Sequence, residues 1–205
     1  MCNMTMMRFL LAPVLAMAMA LPAAAEKLPL GEISSYLNGL QTATGAFTQI
    51  NGDGTISTGT IYISRPGRIR FEYGAPDNTL VLASAGSVAI FDPKSNTGPE
   101  TYPLSRTPLS IILAERVDLG QARMVVGHSY DGTATTVTAQ DPQNPEYGNI
   151  QLVFTGNPVQ LRQWIINDDA GNSTTVVLGE MRTGTSLAAR LFDIQREARR
   201  RSQDR

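Results

Sequence analysis

Early in the chain the apolar positions Ile33, Tyr36, Leu37 and Leu40 recur at i, i+3, i+4 and i+7, which puts them on one face of a short amphipathic helix. The spacing predicts a helix from about Pro29 to Thr42, ended near Gly45. Beyond it the period changes to two. Ile61 and Ile63 alternate with Thr60, Tyr62 and Ser64, and Ile69, Phe71 and Tyr73 alternate with Arg68, Arg70 and Glu72. Such alternation marks strands with one buried and one wetter face. Similar runs follow at 79–83, 87–91, 123–126, 135–139, 150–154, 159–166 and 174–178.

The connections between these runs decide how the strands pair. Gly52-Asp53-Gly54, Asp131-Gly132, Gly156-Asn157-Pro158 and Asp168-Asp169-Ala170-Gly171-Asn172 are hairpin-forming turns, too short for a parallel crossover, so the sheet should be antiparallel. One helix interrupts it: Thr107-Pro108 ahead of Leu109, Ile112 and Leu113 reads as an N-cap with proline in the first turn. Some strands are apolar on both faces, Trp164 and Ile166 opposing Leu161 and Ile165, and Val153 opposing Leu152 and Phe154. A sheet curled around helices and a cavity accounts for this, and so does an ordinary two-sheet sandwich. No repeat or low-complexity segment suggests a second domain.

The first residues change the compartment. Arg8 precedes an apolar run from Phe9 to Leu21, and Ala23-Ala24-Ala25 offers the small residues of an export cleavage site. Thirteen residues fall short of the ~20 that a membrane-crossing helix needs. We expect residues 1–25 to be a signal peptide removed after Ala25, placing the protein in the periplasm. Cys2, the single cysteine, leaves with it, so neither a lipid-anchoring cysteine nor a disulfide is expected. Without Arg8 the chain has 16 basic and 18 acidic residues, a net charge of −2 that gives no general attraction to nucleic acid. The segment 195–205 departs from this balance: from Arg190 to the end there are six arginines against Asp193, Glu197 and Asp204. A solvated chain end is the expected role, with contact to anionic headgroups or a partner as the alternative.

The supply of catalytic groups is thin. There is one histidine, His128, and no spacing of Cys, His and carboxylates that would hold a metal. No phosphate-binding loop or nucleophile elbow occurs. His128, Ser129 and Asp131 are near neighbours, but successive strand residues point to opposite faces and cannot align as base and nucleophile. Asp168 and Asp169 read as turn formers. We therefore expect no catalytic residues, no metal and no cofactor.

From Gly59 to Tyr73 the chain runs GTIYISRPGRIRFEY: a strand opened by glycine, an Arg-Pro turn and a second strand ending in an aromatic. This resembles the LolA family of periplasmic lipoprotein carriers. The likeness continues through Pro76, Gly86 leading to Ile90-Phe91-Asp92, the Thr107-Pro108-Leu109 helix, Tyr147-Gly148 into 150–154, and the turn around Asp169-Ala170-Gly171-Asn172. It covers nearly all of residues 26–194, which we take as one domain. The arginine-rich ending departs from the proline-containing ending common in the family, which leaves tail-dependent contacts outside the comparison.

The resemblance implies a mainly β (α+β) fold, a curved antiparallel sheet forming an incomplete β-barrel with short helices as a lid over an apolar cavity. It implies that Arg65, at the Arg-Pro step, latches the lid through hydrogen bonds to its helices. Phe47 and Gln49 match the family's aromatic-x-Gln step, and Leu109, Ile112 and Leu113 match its lid helix. Phe47, Leu109, Ile112 and Leu113, with Ile61, Ile63, Ile69, Phe71 and Tyr73, are the candidates for acyl-chain binding or the lid, plain core packing being the alternative. Implied partners are acylated lipoproteins as cargo, an ATP-driven inner-membrane release complex as donor and an outer-membrane acceptor, with the carrier itself a monomer. The rival readings are a lipid- or lipoprotein-sensing module on the same half-barrel and, with least support, a hydrolase.

Overall fold

The computed structural model describes residues 26–120 and 123–203; the expected signal peptide lies outside them. Eleven strands form one antiparallel sheet: β1 (Thr42–Ile50), β2 (Ile56–Ser64), β3 (Arg68–Tyr73), β4 (Leu80–Ser84), β5 (Ser87–Phe91), β6 (Glu100–Pro103), β7 (Val125–Tyr130), β8 (Thr135–Gln140), β9 (Asn149–Thr155), β10 (Gln160–Asn167) and β11 (Ser173–Thr183). Their spatial order is β6-β5-β4-β3-β2-β1-β11-β10-β9-β8-β7. Two meanders are thus joined back to back by β1 and β11, while β6 and β7 remain unpaired edges, so the barrel is incomplete. A single sheet removes the sandwich alternative.

Helix α1 (Leu30–Gly39) stops earlier than its periodicity suggested, and Thr42 already belongs to β1. The β-branched Thr42 and Thr44 favour extended backbone. Gly45, expected near the helix end, instead lies within β1 at a register shift against β11, where an added Cβ would sit 2.7 Å from the Glu180 carbonyl oxygen. A second bulge lies between Leu161 and Gln163. It corrects the expected opposition of Leu161 and Trp164: the extra residue turns both inward, with exposures of 5% and 0%.

The concave face carries the main core. Ile33 and Leu37 of α1 and Leu109, Ile111, Ile112 and Leu113 of α2 (Leu109–Leu113) are buried in one cluster with Phe47, Ile61, Ile69, Leu152, Phe154 and Trp164 from the sheet. Pro108, not Thr107, takes the N-cap position of α2, and the Thr107 hydroxyl donates to the Leu104 carbonyl at 2.8 Å. Across the middle of the sheet, Phe47, Gly59 and Tyr73 are register partners on β1, β2 and β3. With no side chain at Gly59, the Phe47 ring reaches across it to meet Tyr73 edge-on, centroids 5.0 Å apart.

Strands β4 and β5 are buried on both sides. Ala83 and Val88 face the main core, whereas Leu80, Leu82, Ala89 and Phe91 form a second cluster with Phe192 on the convex side. The arginine-rich end supplies the cover, which corrects its reading as a solvated terminus: Ile194–Gln203 form helix α3. Asp193 caps it, Oδ1 accepting the Arg196 N–H at 2.8 Å. Burial of Phe192 alone is worth roughly 1.5–3 kcal/mol. A polar tie completes the seat. Arg70, on the wet face of β3, donates to the Leu191 carbonyl at 3.0 Å, pairs with Glu72 at 2.6 Å and lies 3.7 Å from buried Glu197 of α3.

Burial alone would raise the Glu197 carboxyl's pKa, but hydrogen bonds from Arg200 and Arg201 and the charge of Arg70 outweigh it and hold the value below the ordinary one. Its contribution is therefore present above the usual glutamate value of ~4.3 and is lost as pH falls through the lower folded value. Amide hydrogen exchange in α3 should accelerate over that acidic window, and Glu197→Gln should make α3 labile at neutral pH and flatten the response. For Gly59→Ala, whose Cβ would collide with the Glu72 backbone carbonyl on β3 as well as lie 2.8 Å from the Phe47 ring, urea denaturation should record a loss of about 3 kcal/mol or more.

Candidate functional site

The turn between β2 and β3 points into the concave face, and Arg65 occupies its first position. Its Nη2 donates to the Ala114 carbonyl, directly after α2, at 2.6 Å and lies 3.4 Å from Asn38 Oδ1 on α1. The neighbouring Gly67 N–H donates to the Leu113 carbonyl at 2.8 Å. One hairpin tip therefore holds both concave-face helices.

Arg65 is only 6% exposed, and its Nε and Nη1 have no hydrogen-bond partner among the described residues. None of the ion pairs among those residues involves it. Burial accordingly pushes its guanidinium below the ordinary arginine value. Each unsatisfied buried donor costs about 1–3 kcal/mol, so the closed arrangement is held tightly in geometry and weakly in energy.

Asn38 and Ser34, one turn apart on α1, complete the fastening. The Asn38 side chain accepts the Val117 N–H at 2.9 Å and donates to the Val117 carbonyl at 2.7 Å, copying a strand pairing. The Ser34 hydroxyl accepts the Leu119 N–H at 3.0 Å. Residues 114–119, which follow α2, are thereby laid along α1. Sequence reasoning missed both residues: a polar pair beside an amphipathic stripe looks like ordinary solvent-facing helix surface.

A cavity of about 440 Å³ lies elsewhere on the concave face, between the sheet and the start of α2, and shares no lining residue with the fastening. Phe71, Tyr73, Val81, Val88, Leu109, Trp164, Ile166 and Val176 give it apolar walls, and Gln49, Arg106, Asp168 and Asp169 supply polar groups. The volume falls within the ~300–1,000 Å³ typical of small-molecule sites. Edge-to-face contacts link the Phe47 and Phe71 rings at 5.3 Å and Phe71 and Trp164 at 6.3 Å. The Tyr73 hydroxyl donates to Gln49 Oε1, and its burial raises the phenol's pKa far above its usual value, keeping it a neutral donor.

Of the residues singled out from sequence, Gln49, Phe71, Tyr73 and Leu109 line the cavity. Phe47, Ile61, Ile63, Ile69, Ile112 and Leu113 are packed in the core between the sheet and the helices, each at most 5% exposed. Val81, Val88, Tyr102, Tyr147 and Val176 were not foreseen as lining residues. Strand alternation says which residues share a face, not where along that face a gap remains.

Acid-base groups are placed as structural parts. His128 Nε2 lies 2.9 Å from the Leu28 carbonyl, fastening the segment ahead of α1. Asp131 accepts the Thr133 and Ala134 N–H groups, each at 2.8 Å, within its own turn. Burial opposes ionisation of Asp168, but hydrogen bonds from Asn172, Ala170 and Gly171 prevail and lower its carboxyl's pKa. Among the described residues no three His, Cys, Asp or Glu side chains cluster as metal ligands, and no helix is long and apolar enough to cross a membrane.

The outer-membrane lipoprotein carrier protein from Azotobacter vinelandii is 24% identical over 200 residues, covering 94% of this chain and 95% of that protein. The protein of the same description from Cupriavidus taiwanensis is 26% identical, covering 90% and 92%. A putative outer membrane lipoprotein-sorting protein domain from Vibrio parahaemolyticus is 10% identical with a TM-score of 0.47, covering 81% of this chain and 95% of that one, a likeness that adds nothing to the assignment. The profile described as "Outer membrane lipoprotein carrier protein LolA" matches residues 38–195, well over half of the sequence, and the chain therefore belongs to the LolA family.

Proposed function

We propose that this protein is a periplasmic carrier that takes the acyl chains of lipoproteins into the space beneath α1 and α2 and transfers them from the inner to the outer membrane. The observation that carries the reading is the Arg65 fastening: a buried, under-satisfied cation joins the sheet to both helices on the face that also holds an aromatic-walled cavity. The names of the relatives support the same cargo class.

The energetics fit such a task. Each buried methylene contributes ~0.8 kcal/mol, so an acyl chain leaving a bilayer needs an apolar host, and that host must not bind it irreversibly. In the closed form the side chains of Leu37, Ile112 and Leu113 fill space against the sheet. Cargo displaces them, lifting α1 and α2 and breaking the Arg65 contact. Re-forming that contact favours the empty state and so helps release. An ATP-driven complex in the inner membrane acts as donor and an outer-membrane protein as acceptor. The carrier itself is a monomer and performs no covalent chemistry.

Native mass spectrometry of protein taken from periplasm without detergent should show acylated-protein adducts; turnover of an acyl ester or a free-lipid adduct alone would displace the carrier reading. Arg65→Leu removes two unsatisfied buried donors but leaves the Ala114 carbonyl without its partner, opposing effects of about 1–3 kcal/mol per group, so stability should change by less than ~3 kcal/mol. It should nevertheless retain cargo and slow transfer to an acceptor several-fold, and normal transfer would end the latch role. Ile166→Phe, which narrows the cavity from β10, should lower the cargo-loaded fraction several-fold with the melting temperature little changed.

A further inference from the structure

We propose that α3 is a docking face for an anionic phospholipid surface, through which the protein is held by charge alone at a membrane. The arginine-rich end is ordered against the convex face, and its buried and exposed charges are sorted. Glu197, the one acidic residue within α3, is turned inward and answered by Arg70, Arg200 and Arg201. The exposed charged residues from 190 to 203 are Arg190, Arg196, Arg199 and Arg200 against Asp193. A chain with a formal net charge of −1 thus presents a concentrated basic face at one place.

The same contacts make this face stiff. Phe192 is 4% exposed in the convex cluster, with Leu191, Ile194 and Ala198 packed against it, and the Arg201 guanidinium lies 5.3 Å from the Phe91 ring centroid. Beside the C-terminal half of α3 a groove of about 680 Å³ separates Arg199, Arg200 and Arg201 from Pro93, Asn96, Thr97 and Pro99. This gives a phosphate group access to the arginines from the side as well as from above.

The apolar side of α3 is already occupied, so it has nothing to insert into a bilayer core. Among the described residues the exposed large apolar side chains are Ile50, Ile56, Tyr102 and Val126, all outside this segment. A protein interface needs aromatic or aliphatic anchors at its centre. An anionic bilayer asks only for cations within about a Debye length of its surface. The observations therefore favour lipid over an acidic protein. The inference does not rest on the carrier reading, since it concerns the protein empty of cargo.

Flotation of cargo-free protein with vesicles of phosphatidylcholine alone, and of phosphatidylcholine mixed with phosphatidylglycerol, tests it. Binding should appear only on the anionic vesicles and vanish at high salt. Combining Arg190→Gln, Arg196→Gln and Arg199→Gln should weaken it at least ~tenfold, while lysine at the same three positions should preserve it. These exposed side chains can be changed without opening the convex cluster, which an unaltered melting temperature would verify. Equal binding to both vesicle types, no binding, or an unaffected glutamine variant would overturn the proposal, as would capture of an acidic protein without vesicle binding. Failure here leaves the cargo-adduct measurement untouched.

Discussion

Strand β1 belongs to both halves of the molecule, and the rest of the architecture depends on that sharing. On one side it pairs with β2 along its whole length, and on the other with β11, more than a hundred residues away in sequence. Without the second pairing there would be two separate meanders and no common concave face. The Gly45 bulge lies in this seam, where the glycine lets the β11 backbone approach and the strand bend. A surface curved in this way is large enough to receive two helices and still leave part of its wall uncovered.

The uncovered part and the covered part rely on different forces. Beneath α1 and α2 the packing is apolar, aliphatic side chains of the helices against aliphatic and aromatic ones of the sheet, and its non-directional attraction does not require one particular position of the helices. Position comes from a few directed hydrogen bonds, those of Arg65, Gly67, Asn38 and Ser34, made to backbone groups except for the Arg65–Asn38 contact. Attachment and registration are thereby separated. A helical cover held in this manner can lift without unfolding the sheet, because the strand ladders do not pass through it.

Much of this organisation was readable in the residues. Alternation around Ile61–Tyr73 located β2 and β3, and short turns containing glycine fixed antiparallel pairing; the contact of Arg65 to the helices was an implication of the family resemblance and not of local pattern. Local pattern failed where a distant part of the chain decided the outcome. Gly45 looked like a helix stop because its close approach to Glu180 depends on the late strand β11. Bulged Leu161 seemed to face away from Trp164 because period-two reasoning assumes an unbroken ladder. Strand β6, at Glu100–Pro103, is four residues long and exposed throughout, so it has no apolar alternation to detect. The final helix was obscured by its charge. Only the position of Arg70 and the apolar faces of β4 and β5 reveal that Phe192 and Glu197 have a place to go.

Two-sided burial of β4 has a mechanical consequence. Val81 faces the cavity, while Leu80 and Leu82 on either side of it support the underside of the C-terminal segment. The partition between the two environments is one backbone thick. Close-packed side chains transmit displacement rather than absorb it, so an occupant pressing on Val81 also presses on the bed that carries the basic helix. The strand is a wall common to both spaces: the side chains that line the cavity and those that seat the helix hang from the same five residues of backbone.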